Sequence, residues 1–192
     1  MDALLPAFVD RLLGQGPDPC EIPEIPVSAT AGWLGPLATR VLSVVETITD
    51  QRVQAFLAHG YVYLPLPAPD GRGVYLRVAS HSAMEPWPVL TTSVVLTIAG
   101  TVAVEMYQEV DDSLAGRPQY ARSFGPEQVF AVHPDTLCAT QSSPDGVQVL
   151  TTVLPTPRSG EPLTEDEYAA AVYRVYRTLE GLRHGTPAGD RS

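Results

Sequence analysis

Between Tyr61 and Leu154 the apolar residues recur at every second position in short runs, the spacing of a strand with one buried face. The runs lie at 61–66, 73–79, 90–98, 101–108, 119–124, 127–132, 137–142 and 146–154. They are rich in Val, Thr, Leu and Tyr, whose branched or flat side chains fill a pleated surface. Turn residues separate them: Asp70-Gly71, Ala99-Gly100, Gly125-Pro126, Pro134-Asp135 and Pro144-Asp145-Gly146. So many short strands in succession predict a mainly β fold that closes on itself, a barrel or jelly roll.

On both sides of these runs the period becomes helical. Over 2–14, Leu4, Leu5, Phe8, Val9, Leu12 and Leu13 share one stripe, and 34–46 and 51–58 give two further helices, the second capped by Asp50 and ended by Gly60. Pro17, Pro19, Pro23 and Pro26 make 15–30 a loop. Past the strands, Thr164 and Glu167 form a capping box for a helix over 165–184, with Tyr168, Ala171, Val172, Val175, Leu179 and Leu182 on its apolar face. Arg183 suits the negative end of that helix. The expected organisation is a helical segment over 1–60 packed on a barrel over 61–158, a C-terminal helix over 159–184 and a disordered tail over 185–192.

Composition narrows the function classes. The net charge of −10 repels phosphate backbones, so nucleic acid is not an expected partner. All positive residues are arginine, which excludes Schiff-base catalysis by a lysine side chain. No apolar run is long enough for a membrane-spanning helix, and the start, with Asp2 and Asp10 among its leucines, lacks the basic opening of a signal peptide. A cytoplasmic protein without membrane partners is expected. Cys20 and Cys138 are too few and too far apart for a disulfide framework or a paired zinc site.

Two segments carry a resemblance. TTSVVLTIAGTVAVEMYQ at 91–108 and VFAVHPDTLCATQSSPDGVQVLTTVLPTP at 129–157, in this order after a helical N-terminus, resemble the cysteine dioxygenase (thiol dioxygenase) family of the cupin superfamily. The resemblance implies a cupin-type β-barrel (jelly roll) with N-terminal helices and one C-terminal helix. That family holds ferrous iron with a His-x-His pair and a third His. The pair falls here on Pro86-Trp87-Pro88 and the third position on Cys138. The family's substrate arginine falls near Pro65, and its Cys–Tyr pair on Ser93 and Val153. With the ligand histidines missing, the resemblance implies no metal and no cofactor. A shift of one residue would place Glu85 and Trp87 in the ligand positions with His81 or His133 nearby. A divergent metal-dependent thiol dioxygenase-like oxygenase therefore remains an alternative.

The same threading, which sets Pro65 inward, then selects the cavity residues through strand parity. With Pro65 inward, so are Tyr61 and Tyr63; Tyr75 and Arg77 follow on the next strand, then Ser93, Val95 and Thr97, Cys138 and Thr140, and finally Val149 and Thr151. Trp87 between its prolines suits a rim. Arg77 is the central candidate: a buried guanidinium either pairs with a carboxylate, here Glu85 or Glu105, or binds an anionic ligand group. Cys138 is a small buried thiol or a nucleophile, and His81 with Glu85 is a candidate acid–base pair. The candidate catalytic set is Arg77, Tyr63, Cys138, His81 and Glu85. Tyr61, Tyr75, Trp87, Ser93, Thr97, Thr140 and Thr151 are the candidate ligand contacts.

The expected function is a metal-independent enzyme that isomerises, dehydrates or cyclises a small organic molecule, anionic or conjugated, as in natural-product biosynthesis. The alternative from another class is a non-catalytic small-molecule-binding pseudoenzyme. Fold analogy also allows a homodimer.

Overall fold

The computed structural model of the chain describes residues 54–66, 73–80, 84–134, 136–152 and 160–183. The helices expected over 2–14 and 34–46, the proline loop and the tail lie outside the described residues. In chain order the elements are β1 (Phe56–Ala58), β2 (Tyr61–Leu66), β3 (Gly73–Ala79), β4 (Trp87–Pro88), β5 (Ser93–Ala99), β6 (Val102–Tyr107), α1 (Val110–Leu114), β7 (Tyr120–Phe124), β8 (Val129–Val132), β9 (Leu137–Ser142), β10 (Val147–Thr152), β11 (Glu161–Pro162) and α2 (Glu165–Arg183).

All strand pairs are antiparallel. They form one sheet in the order β11-β1-β2-β3-β10-β5-β8 and a second in the order β4-β9-β6-β7. Within these, β3-β10-β5-β8 faces β4-β9-β6-β7, and from β3 to β10 each strand but β7, which pairs with β6, crosses to the other sheet, the double Greek-key order of an eight-stranded jelly roll. This is the mainly β jelly roll that the strand runs predict, in the cupin-type form that the resemblance implies. The strands at 61–66, 73–79 and 137–142 begin and end where the alternation does.

The larger sheet is buried on both faces. Its outer face, including Leu64, Leu76, Leu96 and Val149, packs under α2 through Tyr168, Ala171, Val175 and Leu179. Its inner face, with Tyr61, Tyr63, Tyr75, Val95, Phe130 and Leu150, meets Val102, Val104, Phe124 and Cys138 of the smaller sheet. Between Val147 and Gln148 the pairing of β10 with β5 shifts by one residue. This β-bulge sharpens the local twist where the sheet closes over the interior. The capping box forms as predicted: Glu167 N donates to Thr164 Oγ1 at 3.3 Å, while Thr164 N and Oγ1 donate to Glu167 Oε2 at 2.9 and 2.7 Å. No helix among the described residues is long and apolar enough to cross a membrane.

Asp111 and Asp112 lie in the first turn of the short helix α1, where negative charge suits the helix N-terminus. One local expectation changes. The helix expected over 51–58 is, at its end, the strand β1. His59 and Gly60 have φ of 49° and 79°, the left-handed pair of a two-residue hairpin turn. That turn sets Ala58 opposite Tyr61 and Phe56 opposite Tyr63, and the two rings stack at 4.8 Å. Pairing with a long neighbour outweighs helical spacing in so short a run.

Removing the Thr164 cap (Thr164→Ala) is expected to lower stability by about 1 kcal/mol, and Leu179→Ala by about 2–5 kcal/mol, because Leu179 is wholly buried under the sheet. Urea unfolding of the variants measures both. Equal losses would contradict the packing of α2 described above.

Candidate functional site

Four neighbouring strands bring one row of side chains together inside the barrel. Tyr63 pairs with Arg77, Arg77 with Gln148, and Gln148 with Thr97. Arg77 is 3% exposed and Gln148 wholly buried. Arg77 Nε donates to Gln148 Oε1 at 2.7 Å, and Nη2 donates to the same oxygen. Gln148 Nε2 donates onward to Ser142 Oγ at 3.1 Å, and Ser142 Oγ to the Thr101 carbonyl at 3.2 Å. The guanidinium carbon lies 4.1 Å from the centre of the Tyr61 ring, a favourable cation–π arrangement.

No carboxylate pairs with Arg77 among the described residues. The two acids expected as ion-pair partners are engaged elsewhere. Glu85 is exposed, and Glu105 accepts a hydrogen bond from the Tyr107 hydroxyl. A neutral amide therefore holds a full positive charge in the interior.

Arg77 faces a cavity of about 100 Å³. A single water needs roughly 10–15 Å³ and drug-sized ligands roughly 300–1,000 Å³, so the space suits a ligand of few atoms or one end of a larger one. Tyr63, Val95, Phe130 and Leu150 form apolar walls; Ser93, Cys138, Thr140 and Thr152 add polar atoms; His59, Trp87 and Leu90 line the cavity beside them. Thr140 Oγ1 is buried and without a hydrogen-bond partner among the described residues. Ser93 Oγ donates to the Thr91 carbonyl at 3.1 Å.

Burial and charge set the protonation states. Burial pushes the Cys138 thiol up to about 12, with Arg77 opposing, so it is a thiol rather than a thiolate at neutral pH. Burial also raises the Tyr63 phenol, against the pull of the neighbouring Arg77 charge, which makes it a proton donor. Burial lowers His59, the Arg77 charge lowers it further, and Glu85 partly opposes this. By surface area His59 is exposed, but one ring face lies on Trp87 with centroids 4.5 Å apart. That stacking accounts for the partial loss of solvent at the imidazole.

Of the residues singled out in the sequence, Arg77, Tyr63, Cys138, Trp87, Ser93 and Thr140 line this cavity. Tyr61 lies under the guanidinium, and Tyr75 packs edge-on against Tyr63 with centroids 6.0 Å apart. Thr97 is buried in the Arg77 row, its hydroxyl unpartnered among the described residues. His81 lies outside the described residues, so its pairing with Glu85 does too. The inward parity expected on β10 is corrected. Val149 belongs to the layer under α2, while Gln148, Leu150 and Thr152 face inward, the last two lining the cavity. Thr151 pairs in register with Val74 and Val94, and its side chain lies outside the described residues. The physical reason is that the helix-covered face is the more apolar one, so the alternate set Val147 and Val149 belongs there.

His59, Gln148, Thr152 and Phe56 were not singled out. A His-Gly pair followed by a strand is a hairpin signal that would have found His59.

The ferrous iron that the thiol dioxygenase family holds does not fit the described residues. The cavity offers one imidazole and one protonated thiol, whereas iron needs about three strong ligands. The Arg77 charge in the same space repels a cation. Among the described residues no three His, Cys, Asp or Glu side chains gather as a metal site.

No family model and no curated protein sequence matches the chain. Among solved structures it is similar to the hydroxypropylphosphonic acid epoxidase from S. wedmorenis, at 8% identity and TM-score 0.40 over 48% of this chain and 50% of that one. It is also similar to KdgF from Halomonas sp., at 13% identity and TM-score 0.39 over 58% and 88%. A Streptomyces PAC13 variant with uridine aligns at 15% identity and TM-score 0.42 over 59% and 88%. The match spans half the length of the first of these proteins. Likenesses of this size say nothing about substrate or reaction.

The His59 imidazole is expected to titrate below 6.5, the ordinary value, in NMR of the folded protein. Its lowered value means that the folded state resists protonation there, so this contribution to stability is present above the unfolded value and is lost as pH falls through the folded one. Trp87→Ala is expected to move the midpoint back toward 6.5. A wild-type midpoint at or above that value would contradict the stacked, Arg77-facing placement.

Proposed function

We propose that the chain is a metal-independent enzyme that isomerises, dehydrates or cyclises a small organic anion in the barrel cavity. The observation that carries this reading is Arg77, a buried cation facing the cavity, fixed by Gln148 and Tyr61, and lacking a carboxylate partner among the described residues. A guanidinium in a low-dielectric wall binds a ligand carboxylate or enolate strongly. It also stabilises negative charge that develops beside it during proton transfer. Tyr63 supplies a protonated phenol next to that charge, and His59 supplies a neutral imidazole along the cavity wall. Together they make a donor and an acceptor for moving a proton on a bound acid.

A second reading is a non-catalytic small-molecule-binding protein. It is favoured by Cys138, whose burial keeps the thiol protonated and withdraws one candidate nucleophile. The same pair of variants separates the two readings. Small unsaturated and hydroxy carboxylic acids are followed by NMR for turnover and by calorimetry for binding. Arg77→Ala is expected to weaken binding by about 10- to 100-fold, the worth of hydrogen bonds to a charged group. Tyr63→Phe is expected to keep binding and lose turnover by about 100-fold or more. Binding without turnover in the wild type, lost in Arg77→Ala, supports the second reading. Undiminished binding in Arg77→Ala overturns both.

A further inference from the structure

The wall that holds Arg77 also determines how much negative charge the cavity accepts. Gln148 receives two N–H groups of the guanidinium on one oxygen, and its amide nitrogen is committed to Ser142. Glutamate has the same shape and would accept the same two bonds, yet it would cancel the charge. With glutamine, the guanidinium is oriented as in an ion pair while the site, among the described residues, keeps a single positive charge. Tyr63 lies opposite Arg77 on the paired strand, and the guanidinium has five N–H donors, of which those not engaged by Gln148 are left for a ligand in the cavity that Arg77 lines. Thr140 Oγ1, in the same lining, is 98% buried as a residue and has no partner among the described residues. A ligand oxygen would satisfy it.

We infer that Gln148 is the specificity-determining positioning residue of this site, and that the ligand is a small monoanion, a monocarboxylate, rather than a dianion such as a phosphate monoester. This rests on the anion-binding reading of Arg77 given above. Physically, one guanidinium and one carboxylate leave the cavity neutral. A dianion would leave an uncompensated buried negative charge, which the apolar walls penalise heavily. A neutral ligand would leave the cation unpaired. The carboxylate geometry also matches the flat N–H edge of a guanidinium.

The test uses three probes of similar shape with the whole chain: benzoate, benzamide, and phenyl phosphate at about pH 8, where the last is a dianion. Calorimetry is run on wild type, Gln148→Glu and Gln148→Met, and thermal melts check that each variant is folded. Wild type is expected to bind benzoate at least about tenfold more tightly than either other probe. Gln148→Glu is expected to lose benzoate affinity by about 100-fold while melting no lower than wild type. Gln148→Met, which removes the support without adding charge, is expected to weaken benzoate modestly and keep the preference for the monoanion. If benzoate binds in an Arg77-dependent way but Gln148→Glu leaves its affinity unchanged, or phenyl phosphate binds as tightly, this inference is overturned while the anion-binding reading stands. If wild type binds neither anion, both fall.

Discussion

A guanidinium buried inside a small barrel is a demanding object, and most of the interior is arranged around it. Desolvating such a cation costs several kcal/mol even after relaxation. The protein offsets part of this with charge-assisted hydrogen bonds to Gln148, each worth about 1.5–3 kcal/mol, and with the face of Tyr61, worth about 2 kcal/mol when shielded from water. It does not offset the cost with an acid from the described part of the chain. Stability alone would favour a carboxylate at Gln148 or an apolar residue at Arg77, so a cation held by an amide, with no acid beside it among the described residues, supports the proposed use of Arg77 in anion binding.

The jelly roll makes that arrangement affordable. Because α2 and the outer face of the large sheet carry a continuous apolar layer of their own, the inner face need not be uniformly apolar to hold the fold together. Polar residues can alternate into the cavity on β3, β5, β9 and β10 without dissolving the core. The bulge at Val147–Gln148 bends the sheet where Gln148 reaches both Arg77 and Ser142, linking the two sheets by a hydrogen-bonded chain. The cavity is thus backed by two sheets whose relative position this polar chain helps to fix.

The remaining cavity groups have complementary protonation states for physical reasons that act in opposite directions. Burial raises Tyr63 and Cys138, acids that lose water, and lowers His59, a base that loses water. Arg77 opposes the first effect and reinforces the second. A phenol that keeps its proton and an imidazole that lacks one line the same space, the pairing that proton transfer on a bound acid requires.

The amino-acid order by itself determined the strands, because alternation, β-branched side chains and turn residues act locally; 61–66, 73–79 and 137–142 needed nothing more. It also determined the capping box of Thr164 and Glu167, a contact within one turn, while the inward placement of Arg77 needed both the parity of β3 and the family resemblance that sets Pro65 inward. Tertiary structure decided the rest. A three-residue strand at 56–58 exists only because β2 and β11 lie beside it. The parity of β10 depended on which side the helix covers, since both of its faces carry apolar residues. Gln148 became the partner of Arg77 across 71 positions of chain, a relation that no local pattern encodes, because it arises only when two distant strands pair in one register.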